Sequence, residues 1–124
     1  TALAVRQAGV ATVGLLGTRF TMEQDFYRTR LETRHGLRVL VPAPADRELV
    51  HRVIYQELCL GEVRPESRTA YLRVIDALAT EGAQAIILGC TEISLLVQSH
   101  DCALPLFDTT ALHARSAALW ALTP

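Results

Sequence analysis

The stretch Ala85-Ile86-Ile87-Leu88-Gly89-Cys90-Thr91-Glu92-Ile93-Ser94 constrains the fold more than any other part of the 124-residue chain. Its first half is a short apolar run with β-branched residues, the pattern of a strand buried on both faces of a parallel sheet. Gly89 lets the backbone turn sharply at the end of that run. Cys90 then falls at the strand's carboxyl end, and Thr91 and Glu92 fit the first turn of a following helix. Open α/β sheets bind ligands in the crevice outside such strand ends. A thiol at that junction is either a small packing group or a functional one, its thiolate favoured by nearby helix amides. The spacing alone leaves both readings open.

The rest of the chain supplies the other layers. Residues 1–8 read as the end of a helix closed by Gly9, so the chain opens inside an element and has the look of a fragment. Val10–Leu16 is an apolar, β-branched strand that stops at Gly17-Thr18, again a glycine followed by a small polar residue. Thr21 and Gln24 have capping-box spacing, which predicts a helix from about Met22 to Thr33. Leu37–Val41 forms a second short strand, ended by Pro42 and Pro44. Asp46 is a suitable N-cap for a helix over Arg47–Leu58, and Gly61 terminates it. Pro65 fits the first position of the next helix, whose apolar face carries Tyr71, Val74, Ile75 and Leu78 and which Gly82 ends. A short helix follows Cys90 through about Val97. Leu104–Phe107 is a brief edge strand containing Pro105, and Asp108-Thr109-Thr110 caps a last helix, Ala111–Leu122, bearing His113 and Trp120. Tyr27, Tyr55, Tyr71 and Trp120 fall on apolar faces and read as core.

This βαβααβαβα order predicts one three-layer α/β/α domain over residues 1–124. Its four-stranded parallel sheet takes the order 2-1-3-4, which sets Gly17-Thr18 beside Gly89-Cys90 at the switch point.

Composition excludes several kinds of function. All 12 basic residues are Arg, so neither a lysine Schiff base to a cofactor nor a P-loop lysine can come from this chain. The net charge of −1 gives no reason to expect nucleic acid or an anionic membrane as partner. No apolar run approaches the roughly 20 residues of a membrane span. The three cysteines, Cys59, Cys90 and Cys102, lack C-x-x-C spacing. That count and spacing fit neither a disulfide framework nor a Cys-rich zinc site, and His35, His51 and His100 make no metal-ligand grouping. A reducing, cytoplasmic setting is the expectation.

Four blocks together resemble the second lobe of the aspartate/glutamate racemase family. They are Val13-Gly14-Leu15-Leu16-Gly17-Thr18 with Thr21-Met22; Glu57-Leu58-Cys59-Leu60-Gly61; Gly89-Cys90-Thr91-Glu92-Ile93; and Phe107-Asp108-Thr109-Thr110 with His113. The likeness covers nearly the whole chain in order, and Glu92 after Thr91 is similar to the aspartate racemase branch. The resemblance implies an amino-acid racemase that needs no cofactor and no metal. Two cysteines on opposite faces of the substrate α-carbon would remove and return the proton. It implies catalytic roles for Cys90, Glu92 and His113, and contacts to the amino-acid substrate from Gly17, Thr18, Thr91 and Leu60. A thiol suits this chemistry because modest shifts let it act as base or acid near neutral pH. The carboxylate needs aligned donors to stabilise a carbanion-like state, which amides after Gly17 and Gly89 and the two threonine hydroxyls can supply.

The chain departs from the family in two places. No first-lobe cysteine motif is present: Cys59 reads as a packing residue on a helix and Cys102 lies in a polar loop. The partner expected is therefore the missing first lobe, with a homodimer for the full-length protein and no racemisation by this chain alone. Leu60 stands where aspartate-directed members place a lysine, which predicts uncharged or broad substrate preference. A single-cysteine decarboxylase or isomerase, and a non-catalytic domain binding a small carboxylate, are the alternative functions.

Overall fold

A computed structural model describes residues 9–23, 28–29, 32–33, 36–90 and 92–108. The elements run β1 (Thr12–Leu16), α1 (Arg19–Glu23), β2 (Arg38–Leu40), α2 (Pro44–Gln56), α3 (Pro65–Thr80), β3 (Ala85–Leu88), α4 (Ile93–Leu96) and β4 (Leu106–Asp108). Short 3-10 turns cover Leu58–Leu60 and Ser99–Asp101. The four strands form one sheet in the order β2-β1-β3-β4. Every pairing is parallel, with Val13 opposite Val39, Leu16 opposite Leu88, and Ile87 opposite Phe107. The predicted order and direction are those observed.

Strand alternation divides the core between the two faces of the sheet. Leu16, Ile86 and Leu88 face α2, α3 and α4, where they join Val50, Val53, Ile54, Tyr71, Val74, Ile75, Leu78, Ile93 and Leu96 in the larger cluster. Val13, Leu15, Leu37, Val39, Ala85 and Ile87 make a second cluster on the opposite face. Both faces of β1 and β3 are thus buried, which is why their sequences are continuous apolar runs. Gly14 lies on the α3 side. A Cβ built there would stand 2.7 Å from Ile86 Cδ1 and 2.9 Å from Leu78 Cδ1, so the absent side chain is what lets α3 approach the strand.

Several boundaries differ from those expected. Helix α2 starts at Pro44 rather than after Asp46, with Ala43 as its N-cap. Proline brings a helical φ and has no N–H that needs a partner, so it suits the first position. Asp46 instead sits in the first turn and accepts a 2.9 Å bond from Arg73. Helix α2 also stops at Gln56, and Leu58–Leu60 tightens into a 3-10 turn closed by Gly61 at φ 81°. Strand β4 starts at Leu106: the Pro105 carbonyl receives the Ile86 N–H, but the proline has no N–H of its own to give the ladder. Tyr71 is fully buried as expected, but Tyr55 is not core: it is half exposed, its ring 4.7 Å from that of His51. Residues 1–8, Tyr27, and the predicted final helix with Trp120 lie outside the described residues.

Candidate active site

The site forms where the two central strands end side by side. The Gly89 N–H donates to the Leu16 carbonyl at 2.7 Å, which locks the exit of β3 against that of β1. Gly17 and Gly89 therefore face the same small space, and the side chain of Thr21 fills it. A Cβ on Gly17 would lie 3.0 Å from Thr21 Cβ, and one on Gly89 would lie 3.1 Å from Thr21 Cγ2 and 3.2 Å from the Leu16 carbonyl oxygen. Glycine at both strand ends leaves the threonine room to wedge between them without displacing a neighbour.

Helix α1 begins directly after Thr18, three residues earlier than the predicted start. The Thr18 carbonyl takes the Met22 N–H at 3.0 Å, and its Oγ1 lies 3.4 Å from the Thr21 amide. Thr18 thus has the place of the N-cap, and Thr21 belongs to the first turn, so the capping box expected at Thr21 is not the helix start. The charge of Arg19 is engaged with Glu48 at the surface, and its backbone N–H donates to His51 Nδ1 at 2.9 Å.

Cys90 is half-buried and packs against the larger core. Its Sγ donates to Glu92 Oε2 at 2.8 Å. Burial first, and then this bond to a carboxylate, push the thiol up to about 11, although the Glu92 backbone N–H favours the thiolate. The thiolate expected from helix amides is therefore not the resting form. Desolvation and the neighbouring negative charge outweigh one amide, and Cys90 is a protonated thiol at neutral pH. Replacing Glu92 with glutamine removes that charge while keeping an acceptor. The Cys90 pKa should fall, and alkylation of Cys90 at pH 8 should quicken by roughly tenfold. Peptide mapping after timed iodoacetamide labelling checks this, and an unchanged rate would mean that burial alone sets the pKa.

The turn carrying Leu60 packs near α4, just beyond Cys90. Leu58 anchors it in the core, while Leu60 is 71% exposed and Cys59 is exposed. The expectation that Cys59 is a helical packing residue is corrected: it lies exposed on the turn. The turn is held from below. Glu57, at its start, accepts hydrogen bonds from Ser67 Oγ and, through its backbone carbonyl, from the Leu60 and Glu62 amides. Tyr71 donates to the Val50 carbonyl at 2.6 Å, and burial, then the nearby Cys90 (once ionised) and Glu57, oppose its ionisation.

Four of the sequence-predicted residues therefore follow two adjacent strand ends: Gly17 and Thr18 after β1, Cys90 and Glu92 after β3. Leu60 sits on a separate turn beside α4. Thr91 and His113 lie outside the described residues, as do Thr109 and Thr110. Sequence reasoning overlooked the roles of Thr21 and Glu57. The signals available were three-residue spacing after Thr18 and an acidic residue placed where a helix gives way to a turn.

An open parallel sheet with a thiol and two glycine exits at its switch point marks a three-layer α/β domain. A family model described as Asp/Glu/hydantoin racemase matches residues 1–117. The chain belongs to this family. It is 32% identical over 98 residues to an uncharacterized protein in the pnlA 3′ region of Pectobacterium carotovorum subsp. carotovorum, a match spanning 79% of this chain and 63% of that protein. Among solved structures it is similar to a provisionally assigned Asp/Glu racemase from Yersinia pestis, with 55% identity and a TM-score of 0.94 over 99% of this chain and 54% of that one. An aspartate racemase homologue from Pyrococcus horikoshii OT3 is 33% identical with a TM-score of 0.90, covering 98% and 53%. A Picrophilus torridus aspartate racemase shares the fold at 20% identity and a TM-score of 0.68, covering 94% and 49%. The chain thus spans about half the length of these structures. No helix among the described residues is long and apolar enough to cross a membrane.

Proposed function

We propose that the chain is one lobe of a cofactor-independent amino-acid racemase, in which Cys90 is one of two thiols that exchange the α-proton from opposite faces. The observation that carries this reading is the Cys90 thiol held on Glu92 beside the Gly17-Thr18 strand end. In one direction the thiol gives its proton to the carbanion-like α-carbon and becomes a thiolate. In the other, the Cys90 thiolate takes the α-proton and becomes a thiol. A group with a pKa of about 11 is a strong base once ionised, which suits a very weak carbon acid. The substrate's ammonium group brings a positive charge that offsets Glu92 and makes the thiolate accessible when substrate is bound.

Gly17, Thr18 and Thr91 bind the substrate carboxylate in this reading, His113 assists protonation, and the second thiol comes from a first lobe. Family membership and the likeness to aspartate racemase homologues support racemase-type chemistry. The test uses the full-length protein in deuterated buffer without added pyridoxal phosphate. Separate L- and D-forms of alanine, leucine, methionine, glutamine, aspartate and glutamate are supplied, and α-proton exchange is followed by NMR. Exchange from both enantiomers with inversion is expected. No exchange from any of them overturns the reading. Leu60 predicts faster turnover of the uncharged members of this panel, and strong preference for aspartate would refute that part.

A further inference from the structure

Thr21 touches both halves of the crevice, through different atoms. Its methyl group lies against the Cα positions of Gly17 and Gly89. Its hydroxyl lies 3.3 Å from Thr18 Oγ1, and its backbone N–H points at that same oxygen at 3.4 Å. A hydroxyl has one proton to give and two lone pairs to fill. The Thr21 amide takes one lone pair of Thr18 Oγ1. The hydroxyl pair can then be ordered in two ways. If Thr18 donates to Thr21, Thr18 has no proton left for a ligand. If Thr21 donates to Thr18, both Thr18 lone pairs are occupied and its proton is free to enter the crevice. An ionised carboxylate can only accept, so it selects the second order.

We propose that Thr21 is a positioning residue for the substrate carboxylate, its hydroxyl orienting the Thr18 proton into the crevice while its methyl group spaces the two strand exits. This rests on the reading of Gly17-Thr18 as part of the carboxylate site. Both contacts to Thr18 Oγ1, one from a hydroxyl and one from an amide, are longer than ordinary hydrogen bonds, and fixing the proton order shortens such contacts in the bound state. The two roles of Thr21 reside on different atoms, so they can be separated. Valine keeps the methyl and loses the hydroxyl; serine does the reverse.

The experiment compares Thr21→Val, Thr21→Ser, Thr18→Val and the Thr18→Val/Thr21→Val double variant in the full-length protein. The probe is the panel amino acid bound most tightly by the wild type. Its Kd is read by calorimetry, so that binding is measured apart from turnover, and the urea midpoint is read alongside. Thr21→Val is expected to weaken binding by roughly three- to tenfold with a near-wild-type urea midpoint. Thr21→Ser should bind like the wild type but unfold at lower urea. Because Thr21 acts through Thr18, Thr21→Val should add nothing in the Thr18→Val background. Wild-type affinity in Thr21→Val while Thr18→Val binds weakly overturns the proposal alone. Wild-type affinity in Thr18→Val overturns the carboxylate reading and the proposal with it.

Discussion

Replacing Cys90 with serine in the full-length protein is expected to slow racemisation by at least about a thousandfold, or about 4 kcal/mol of barrier. Serine fits the space and can still donate to Glu92, so packing and hydrogen bonding survive. Its hydroxyl is a far weaker acid than a thiol and cannot serve as base on this carbon near neutral pH. The environment sharpens the contrast. A site that already pushes a thiol up to about 11 puts an alkoxide entirely out of reach. The loss should also be one-sided. If a second thiol serves the opposite face, as proposed, one enantiomer should still exchange its α-proton with solvent and be returned without inversion, while the other should exchange hardly at all. Chiral chromatography reads the first effect and NMR of recovered L- and D-substrate the second. The enantiomer that goes silent is the one that Cys90 deprotonates. Racemisation near the wild-type rate would remove Cys90 from the chemistry.

The second large effect concerns the fold beneath the site. Gly14→Val is expected to destabilise the protein by about 3 kcal/mol, at the upper end of what overpacking a core usually produces. Even a bare Cβ would lie 2.7 Å from Ile86 Cδ1 and 2.9 Å from Leu78 Cδ1. Both side chains are themselves fully buried, so neither has free space to swing into. Valine adds two further methyl groups, and α3 must move away from β1 to admit them. Gly14→Ala should lie between wild type and Gly14→Val. Urea unfolding of the three proteins gives the series, and a valine variant as stable as the wild type would show that α3 can slide without penalty. Because β1 ends at the crevice, the same displacement should disturb Gly17 and Thr18, and activity should fall along with stability.

Strand order was legible because β1 and β3 are buried on both faces and so carry apolar runs that no exposed element would tolerate. Gly17 and Gly89 were legible as strand exits for the same local reason. Helix starts were harder to place. Thr18 and Thr21 are equally good caps by residue type, and only the path of the backbone out of β1 chooses Thr18. Pro44 and Asp46 pose the same ambiguity at α2. Leu58 continues the helical periodicity of α2 because it is buried, yet the backbone there has already tightened into a 3-10 turn, which carries Cys59 to the surface. The protonation of Cys90 could not be read from residue spacing. It depends on how deeply the sulfur sits and on Glu92 folding back two residues later, both of which are three-dimensional facts.

The sheet's margins bear on how this domain avoids pairing with other chains. Among the described residues, the two outer strands are three residues each, Arg38–Leu40 and Leu106–Asp108, and Pro105 stands at the entry to one of them. A passing chain finds little ladder there to extend. The segments with the composition of fibril formers, Thr12–Leu16 and Ala85–Leu88, are innermost and paired on both sides. The arrangement that sets two strand exits side by side also leaves neither of these apolar stretches an open edge.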